Sequence, residues 1–462
     1  MSDSSAKFSQ ALATLRTFSD TGTPRTYEYR IEALTKLDKL ISENVDRICD
    51  ALAADLSKPL QESLLAEVAV VLDEVRLTKK NLRKWIKPDS VSTPLSLWPS
   101  KSRIYQDPLG VVLIIGPWNY PFHLLMLPLV GAIAAGNCAM LKPSELTVHT
   151  SKLVTELISK YFPPEYVFVA EGGIPETTDL LNLKFDHIFF TGSTAVGKVV
   201  MAAAAKNLTP VTLELGGKSP VIVNDDADLD LAARRIVWGK FYNAGQTCVA
   251  PDYLYVHKNI AAQLQTKIKQ TIEDQFGVNT KDSKSFARIV NSRNFQRLTK
   301  LVDKNKVVHG GQSDERSLFI EPTLIGNAQW NDEVMRDEIF GPILPILTFE
   351  SLQEIYKTIN SKPKPLAAYF FSRSKARQEE FLQTLHFGGG CINDLVVHLG
   401  NPHLPFGGVG ESGTGSYHGK SSFLIFSHAK SVMIRSGWFD FSLRYAPYKE
   451  KNIKLLRKYL RI

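Results

Sequence analysis

Three polar side chains in this sequence could do chemistry: a thiol, a carboxylate and an amide. Cys248 follows the tripeptide GQT on a predicted turn, where a thiol can be exposed and act as a nucleophile. Glu214 lies between two leucines, and burial there would raise its pKa towards neutrality, the condition for a general base. Asn119 follows the tripeptide GPW, where a rigid turn could aim its amide at an oxyanion.

Each of these residues also has a purely structural interpretation. Most single cysteines of a cytosolic protein are small buried hydrophobes, and Cys248 on its own fits that description. Glu214 could lie on the solvated face of an edge strand, and the turn that holds Asn119 could be an ordinary capped turn. Taken one at a time, the three residues leave both interpretations open.

A glycine-containing segment from Phe189 to Lys198, FFTGSTAVGK, predicts a strand, a turn and a helix. Backbone N–H groups at such a helix start can bind phosphate, although a plain tight turn has the same pattern. The segment is not the dinucleotide fingerprint GxGxxG. It also departs from a P-loop, because Val199 stands where a Ser or Thr hydroxyl must hold Mg²⁺. This departure argues against an ATPase.

Seven motifs occur together in the order and approximate spacing of one enzyme family. In chain order they are GPWNYP, LKPSE, FTGSTAVG, LELGG, FxxxGQTC, EIFGP and PFGG. From about residue 10 to residue 435 the sequence resembles the aldehyde dehydrogenase superfamily. The segments GQTCVAPDY and PFGGVGESGTGSYHGKSSFLIFSH resemble its class 3 branch, which includes fatty-aldehyde dehydrogenases.

The resemblance implies an enzyme that oxidises medium- or long-chain aliphatic or aromatic aldehydes to carboxylic acids. Cys248 takes the position of the nucleophile, which forms a thiohemiacetal and then a thioester. Asn119 and the backbone N–H of Cys248 take the positions of the oxyanion donors. Glu214 takes the position of the general base for hydrolysis of the thioester.

The resemblance also implies NAD as the cofactor, with NADP as the alternative, and no metal. A glutamate that faces the ribose 2′-OH favours NAD because it repels a 2′-phosphate, and a neighbouring lysine partly offsets that repulsion. Lys142 and Glu145 take the positions at the adenine ribose, and Gly192, Ser193, Thr194 and Gly197 belong to the turn below the pyrophosphate. Glu338 and Phe340 take the positions beside the nicotinamide, and Trp118 completes the implied cofactor set.

Aromatic and apolar residues line the implied substrate funnel, which suits apolar aldehydes: Tyr120, Tyr242 and Phe406, near Trp118 and the loop 395–399. Two other functions stay open. The first is a coenzyme A-acylating aldehyde dehydrogenase, for which Glu214 would be superfluous because a thiol acceptor is already nucleophilic. The second is a non-catalytic interaction protein on the same fold, against which the joint presence of Cys248, Glu214 and Asn119 argues.

The elements that must position these residues alternate between strands and helices beyond residue 105. Short apolar runs such as 109–116 and 187–190 predict strands with helices between them, the pattern of a parallel sheet covered on both faces. The first ninety residues predict helices, and the four prolines of 88–108 predict extended structure.

The predicted fold class is therefore α/β, with a Rossmann-like cofactor-binding domain and an α/β catalytic domain. The resemblance assigns residues 1–87 and 106–214 to the NAD-binding domain and residues 215–395 to the catalytic domain. Residues 88–105 and 420–462 form a bridging β-arm and a C-terminal tail. Because an arm strand needs a partner to cover its edge, the predicted assembly is a homodimer.

Composition narrows the remaining possibilities. A chain of 462 residues with 44% hydrophobic and 22% charged residues is typical of a globular protein of several domains and excludes disorder. The formal net charge is +8, but +5 of it lies in residues 449–462, so no nucleic-acid partner is predicted. Four scattered cysteines and an N-terminus without an apolar signal predict reduced thiols and a cytoplasmic protein.

The basic tail has an amphipathic pattern, because Ile453, Leu456 and Leu460 recur at helical spacing among lysines and arginines. Two interpretations stay open. The tail is either a helix docked on its own subunit or on the dimer partner, or a weak peripheral contact with an anionic membrane.

Overall fold

The structure of the protein, a computed structural model, describes residues 3–441 and 444–462. Helices dominate its first 85 residues, as the sequence predicts, and alternate with strands thereafter. The α-helices of the described residues are α1 (Asp3–Asp20), α2 (Tyr27–Ser42), α3 (Val45–Leu56), α4 (Leu60–Ser63), α5 (Val70–Trp85), α6 (His123–Ala135), α7 (Val148–Tyr161), α8 (Ile174–Leu181), α9 (Thr194–Ala205), α10 (Leu229–Phe241), α11 (Ala261–Phe276), α12 (Ser292–Lys300), α13 (Leu352–Asn360), α14 (Lys375–Thr384), α15 (Lys420–Ile425) and α16 (Glu450–Leu460).

The strands of the same residues are mostly short and apolar. They are β1 (Asp89–Val91), β2 (Ser100–Pro108), β3 (Val111–Ile115), β4 (Cys138–Lys142), β5 (Val167–Val169), β6 (His187–Thr191), β7 (Val211–Glu214), β8 (Pro220–Val223), β9 (Tyr253–His257), β10 (Val307–His309), β11 (Ser313–Asp314), β12 (Phe319–Ile320), β13 (Thr323–Ile325), β14 (Ile343–Phe349), β15 (Ala367–Phe371), β16 (Gly389–Ile392), β17 (Gly413–Thr414) and β18 (Ser427–Arg435).

One sheet has six strands in the order β17-β7-β6-β3-β4-β5. The five strands from β7 to β5 are parallel, and only β17 runs antiparallel, against β7. Every residue of β3, β4 and β6 is buried, because helices cover both faces of the sheet. The predicted α/β fold class is confirmed.

The second sheet has seven strands in the order β10-β13-β14-β9-β8-β15-β16. Its strands from β13 to β16 are parallel, and β10 is antiparallel to β13. Residues 214–220 connect the two sheets along the chain, because β7 of the first sheet ends at Glu214 and β8 of the second begins at Pro220. The domain boundaries at residues 87, 105, 214 and 395 stay a prediction, and β17 of the first sheet lies beyond the last of them.

A third, antiparallel sheet has the order β1-β2-β18. Strand β2 pairs with β18 over nine residues, from Ser100 opposite Arg435 to Pro108 opposite Ser427. None of the residues of the three strands is buried. This sheet corresponds to the predicted arm, which leaves its surface available for a partner.

The tail forms the predicted helix, α16, but no residue of that helix is buried against the described part of the chain. Docking of α16 on the described residues of its own subunit is therefore not observed. Within residues 3–441 and 444–462, the structure contains no helix long and apolar enough to span a bilayer.

Candidate active site

A tight turn at the end of α10 carries the segment with Cys248. Asn243 and Ala244 have φ angles of 52° and 51°, and Gly245 has a φ of 74°, in the left-handed region that favours glycine. A Cβ on Gly245 would collide with the carbonyl oxygen of Gly341, so only glycine lets this turn approach the EIFGP segment. Two of the seven motifs are thus in direct contact.

The thiol of Cys248 is partly buried and faces two carboxylates. Burial raises its pKa to about 12, and the charges of Glu338 and Glu214 add to the rise, while the backbone N–H groups of Cys248 and Val249 oppose it. The resting form is therefore the thiol, and a base must remove its proton before it can act as a nucleophile. All three side chains lie within electrostatic reach of one another.

Glu214 ends β7 and is buried, with 2% of its surface exposed. Neither of its carboxylate oxygens has a hydrogen-bond partner within the described ranges 3–441 and 444–462. Burial alone raises its pKa well above the ordinary value. Its backbone oxygen accepts a hydrogen bond of 3.0 Å from the N–H of Gly192, and β17 covers the strand on its other side. The alternative of a solvated edge strand is wrong.

Asn119 lies just beyond β3 and is buried. Its side-chain nitrogen donates to the backbone oxygen of Gln246 at 3.0 Å, two residues before Cys248. Its own backbone oxygen accepts from Lys58 Nζ at 2.9 Å and from Asn243 Nδ2 at 3.0 Å. These contacts bring the predicted oxyanion donor to the segment that carries the thiol.

The EIFGP segment is held by hydrogen bonds on both sides of Ile339. The N–H of Ile339 donates to Asp252 Oδ1 at 2.8 Å, and its oxygen accepts from Arg297 Nη2 at 2.7 Å. Lys218 Nζ donates to the backbone oxygen of Asp337 at 2.9 Å. Because Ile339 stands between Glu338 and Phe340, these contacts fix the positions of both predicted cofactor residues.

Glu338 and Phe340 face different neighbours. The Glu338 carboxylate lies against Gly216, where a Cβ would not fit, and burial raises its pKa to about 8, with the charge of Asp252 as the next cause. Phe340 adopts a φ of 51°, and its ring stands edge-to-face with Trp118 at 5.3 Å between centroids. Trp118 does not line the cavity above Cys248, although the sequence predicted a substrate funnel near it.

The predicted ribose residues form an ion pair at the end of β4. Lys142 is 2% exposed and donates to the Pro143 backbone oxygen at 2.7 Å, and its Nζ lies 3.5 Å from the Glu145 carboxylate, which is 44% exposed. A buried ammonium beside a half-exposed carboxylate offers a donor and an acceptor to ribose hydroxyl groups.

The predicted phosphate turn joins β6 to the N-terminus of α9. Ser193 caps this helix by accepting from the Val196 N–H at 3.4 Å, and Thr194 is its first residue. A Cβ on Gly197 would collide with the Leu215 side chain, so glycine allows α9 to pack close to β7. On the outer face of α9, the side chains of Val196 and Val199 are exposed. A helix N-terminus beside an apolar patch fits a dinucleotide.

A cavity of about 740 Å³ opens above Cys248 and Thr247. The three predicted substrate residues Tyr120, Tyr242 and Phe406 lie on its wall. The other lining residues are mainly apolar and come from the helical segment after α3, from α6, from α10 and from the loop before β17; they include Leu65, Ala66, Val70, Leu124, Trp238, Val396, Val397 and Leu399.

The comparison with known families settles which family has this arrangement. The sequence matches the aldehyde dehydrogenase family over residues 3–432. The chain belongs to the aldehyde dehydrogenase family. It is an oxidoreductase that acts on aldehydes with NAD or NADP.

Individual aldehyde dehydrogenases match nearly the whole chain. The 4,4′-diaponeurosporen-aldehyde dehydrogenase of Staphylococcus aureus is 47% identical over 438 residues, 94% of this chain and 95% of that protein. The dimeric NADP-preferring aldehyde dehydrogenase of Mus musculus is 49% identical over 417 residues, 90% and 92% of the two chains. The family 3 member H1 of Arabidopsis thaliana is 46% identical over 458 residues, 98% and 95% of the two chains. The predicted resemblance to class 3 is confirmed.

A solved structure agrees with the fold of this aldehyde dehydrogenase. The substrate-bound state of Staphylococcus aureus AldH superimposes with a TM-score of 0.96 and is 45% identical, covering 98% of this chain and 99% of that one.

Several polar residues of the site escaped the sequence prediction. The imidazoles of His123 and His418 line the cavity, and burial lowers their pKa values to about 3 and about 4, so both are neutral. Lys58 and Glu67 lie behind Asn119. Both histidines stand inside or beside a recognised motif, which is the signal that could have identified them; the lysine and the glutamate have no such signal.

Proposed function

We propose that Cys248, Glu214 and Asn119 oxidise an apolar aldehyde to its carboxylic acid through a thioester on Cys248. One observation carries the proposal: the thiol of Cys248 lines a large apolar cavity within electrostatic reach of the buried Glu214 and the half-buried Glu338, and an amide donor is hydrogen-bonded to the segment of that thiol. Nucleophile, base and oxyanion donor are the three parts that acyl chemistry at an aldehyde carbon needs.

In the first step the thiol proton of Cys248 passes to solvent water, and the thiolate sulfur adds to the aldehyde carbon. The carbonyl oxygen becomes an oxyanion, to which Asn119 Nδ2 and the Cys248 backbone N–H donate. Bound NAD or NADP supplies the two-electron acceptor for the hydrogen on that carbon. Water then attacks the thioester, Glu214 takes its proton, the carbon–sulfur bond breaks, and the Cys248 sulfur leaves.

For the cofactor we propose that Lys142 and Glu145 contact the adenine ribose and that the turn Gly192–Gly197 holds the pyrophosphate. Glu338 would contact the nicotinamide ribose, with Phe340 and Trp118 beside the ring. The helix N-terminus of α9 and the Lys142–Glu145 pair support this assignment. NAD is the proposed cofactor, and the NADP-preferring mouse relative supports NADP as the alternative.

The substrate class follows from the cavity. Its volume of about 740 Å³ and its mainly apolar wall suit medium- or long-chain aliphatic or aromatic aldehydes and disfavour small charged ones. The neutral form of both histidines keeps that wall free of positive charge.

Replacement of the nucleophile tests the proposal. Cys248→Ala is expected to abolish NADH formation from a long-chain aldehyde and to leave the Kd for NAD nearly unchanged, because the thiol does not hold the dinucleotide. Cys391→Ala is the matched control, since that thiol is also partly buried but stands outside the cavity wall. Oxidation by Cys248→Ala above a few per cent of the native rate would contradict the assignment.

Addition of coenzyme A separates the two enzyme alternatives. Hydrolysis with Glu214 as base requires no acceptor other than water, so NADH formation is expected without coenzyme A. A strict requirement for coenzyme A, with an acyl thioester as the product, would establish the acylating alternative instead. Absence of NADH formation under both conditions, across aldehydes of different length, would favour the non-catalytic alternative.

We further propose a homodimer in the cytoplasm, formed through the β1-β2-β18 sheet. The exposed arm and the dimeric mouse relative support the assembly, and four free cysteines support a reducing compartment. Sedimentation equilibrium measures the state directly: a mass twice that of the 51.5 kDa chain is expected, and a monomer would contradict the proposal.

For the tail we propose a weak contact with an anionic membrane, supported by the exposed apolar residues of α16 among its basic ones. The full chain should co-sediment with anionic vesicles at low ionic strength, less so at high ionic strength, and not with neutral vesicles. A chain that ends at Tyr448 should stay in the supernatant. If both chains stay there, the membrane contact is wrong and the tail is structural.

A further inference from the structure

Lys58 and Glu67 form an ion pair with no exposed side-chain surface, directly behind the segment of Asn119. Lys58 Nζ lies 2.5 Å from Glu67 Oε1, and both side chains are 0% exposed. Lys58 stands between α3 and α4, and Glu67 lies in the π-helical turn Leu64–Ala69 that separates α4 from α5. Burying two charges is costly, so stability alone is a weak reason for such a pair.

Lys58 makes two contacts with the site besides its ion pair. Besides Glu67, its ammonium donates to the Asn119 backbone oxygen at 2.9 Å and stands 4.1 Å above the centroid of the Tyr120 ring. The hydroxyl of Tyr120 is hydrogen-bonded to that of Thr247 at 2.7 Å. Lys58 therefore connects the residue that carries the oxyanion amide with the residue next to Cys248.

The glutamate holds the other end of the same segment. Its second oxygen, Oε2, accepts from the backbone N–H of His123 at 2.9 Å and from that of Phe122 at 3.2 Å, at the start of α6. Burial raises the pKa of Glu67, and the Lys58 ammonium and the two amide donors oppose this rise and favour the charged form. The pair therefore forms hydrogen bonds with the backbone at both ends of residues 119–123.

We propose that Lys58 and Glu67 are positioning residues, which fix the backbone of Asn119 so that its amide meets the oxyanion on Cys248. The inference rests on the proposed role of Asn119 as an oxyanion donor. Oxyanion donors stabilise a transition state only when they are held close to the position where charge develops, and a small displacement costs a large part of the rate. A backbone held by a buried ion pair has little freedom to move.

The variant that tests this role replaces both charges at once. Lys58→Met alone would leave an unpaired buried carboxylate and could prevent folding. Lys58→Met/Glu67→Gln removes the charges with little change of shape, and the glutamine oxygen can still accept from the amides of Phe122 and His123. The donor to the Asn119 oxygen and the cation above the Tyr120 ring are lost.

We expect this double variant to lower kcat by about ten- to a hundredfold per active site, with KM for the aldehyde and the Kd for NAD nearly unchanged. Active sites are counted by the stoichiometry of NAD binding, which only the folded fraction shows. Lys79→Met is the matched control: it breaks an ion pair of 3.1 Å between α2 and α5 and leaves residues 119–123 untouched. Its kcat should equal the native value.

A double-mutant cycle with Asn119→Ala decides between positioning and a merely structural role. If Lys58 and Glu67 act through the Asn119 amide, their replacement should cause no further loss of kcat once that amide is absent. A loss of equal size in both backgrounds would overturn the inference, and so would a native kcat for Lys58→Met/Glu67→Gln in the native background.

Two further outcomes remain distinguishable. If Asn119→Ala alone keeps the native kcat, the proposed oxyanion role is wrong, and the inference falls with it. If Lys58→Met/Glu67→Gln does not fold, Glu67→Asp alone takes its place in the cycle. It keeps both charges but shortens the carboxylate side chain, which weakens the hold on residues 119–123, and a smaller loss of kcat that disappears in the Asn119→Ala background is expected. Persistence of that loss would overturn the inference.

Discussion

The side-chain nitrogen of Asn119 lies 3.0 Å from the backbone oxygen of Gln246, two residues before Cys248. A primary amide carries two hydrogens, so one is used on this contact and the second is left for a substrate oxyanion. The donor is therefore hydrogen-bonded to the segment that carries the nucleophile. Any shift of the Cys248 segment carries the donor with it, which preserves the geometry between the sulfur and the amide.

Replacement of Glu214 should separate the two halves of the reaction. In Glu214→Gln, a burst of NADH equal to the number of active sites is expected, followed by turnover about 10²–10⁴-fold slower than native, because thioester hydrolysis lacks its base. Stopped-flow absorbance at 340 nm measures both phases. Equal loss of burst and steady state would place the role of Glu214 before thioester hydrolysis.

The pH dependence of hydrolysis should follow the same carboxylate. Burial raises the pKa of Glu214 well above its ordinary value, and only the ionised form can act as a base. The native kcat is therefore expected to fall as the pH is lowered through that raised pKa, far above the ordinary range of about pH 4 to 5. In Glu214→Gln this ionisation should be absent from the profile, and its persistence would contradict the assignment.

At a pH above the pKa of Glu338, its charge should lower the reactivity of the Cys248 thiol in the protein without cofactor. Its charge helps to raise the Cys248 pKa to about 12, but its own pKa is about 8, so it carries that charge only in alkaline solution. In Glu338→Gln without cofactor, iodoacetamide should alkylate Cys248 faster than in the native protein above pH 8 and equally fast well below it. Glu333→Gln, an exposed site, should match the native rates. Slower alkylation of Glu338→Gln at high pH would contradict the electrostatic role.

The sequence predicted the parts of the site that lie in continuous motifs. Buried β-branched runs such as 109–116 predicted strands, and β3 occupies 111–115 of that run. The motifs that follow strand ends, with Asn119 and Glu214, meet because parallel strands present their ends at one edge of a sheet.

Sequence patterns could not predict the contacts made from outside those motifs. Lys58 and Glu67 occur among helical residues, where charges normally belong to a solvated face, and nothing local distinguishes them from such charges. Their burial follows from the packing of α6 against the helices around them, a long-range event. The pairing of β17 with β7 is similar, since two residues have no detectable periodicity.

The size of the cavity should decide which aldehydes react well. Ala66 lines the cavity on its π-helical wall, and a phenylalanine there would fill part of the space that a long chain occupies. Ala66→Phe is expected to lower kcat/KM for a twelve-carbon aldehyde by about tenfold or more and to leave that for propanal nearly unchanged. Ala262→Phe, on the exposed side of α11, is the control. An equal loss for both aldehydes would show that Ala66 does not face the substrate chain.

Cofactor choice should depend on the charge of Glu145. Its carboxylate lies 3.5 Å from Lys142 and is 44% exposed, so solvent and salt weaken its repulsion of a 2′-phosphate without abolishing it. In Glu145→Gln that repulsion disappears, and Lys142 becomes free to pair with the phosphate. We expect kcat/KM for NADP to rise by about three- to tenfold and that for NAD to fall slightly.

Because the gain in kcat/KM for NADP is electrostatic, it should shrink between 0.02 and 0.5 M salt, about a fivefold change in screening length. Glu156→Gln, which removes an exposed carboxylate of α7 that pairs with Arg47, should leave kcat/KM for NADP and kcat/KM for NAD unchanged. A salt-independent gain would indicate a steric effect of the substitution, and no gain at all would mean that Glu145 does not face the 2′ position.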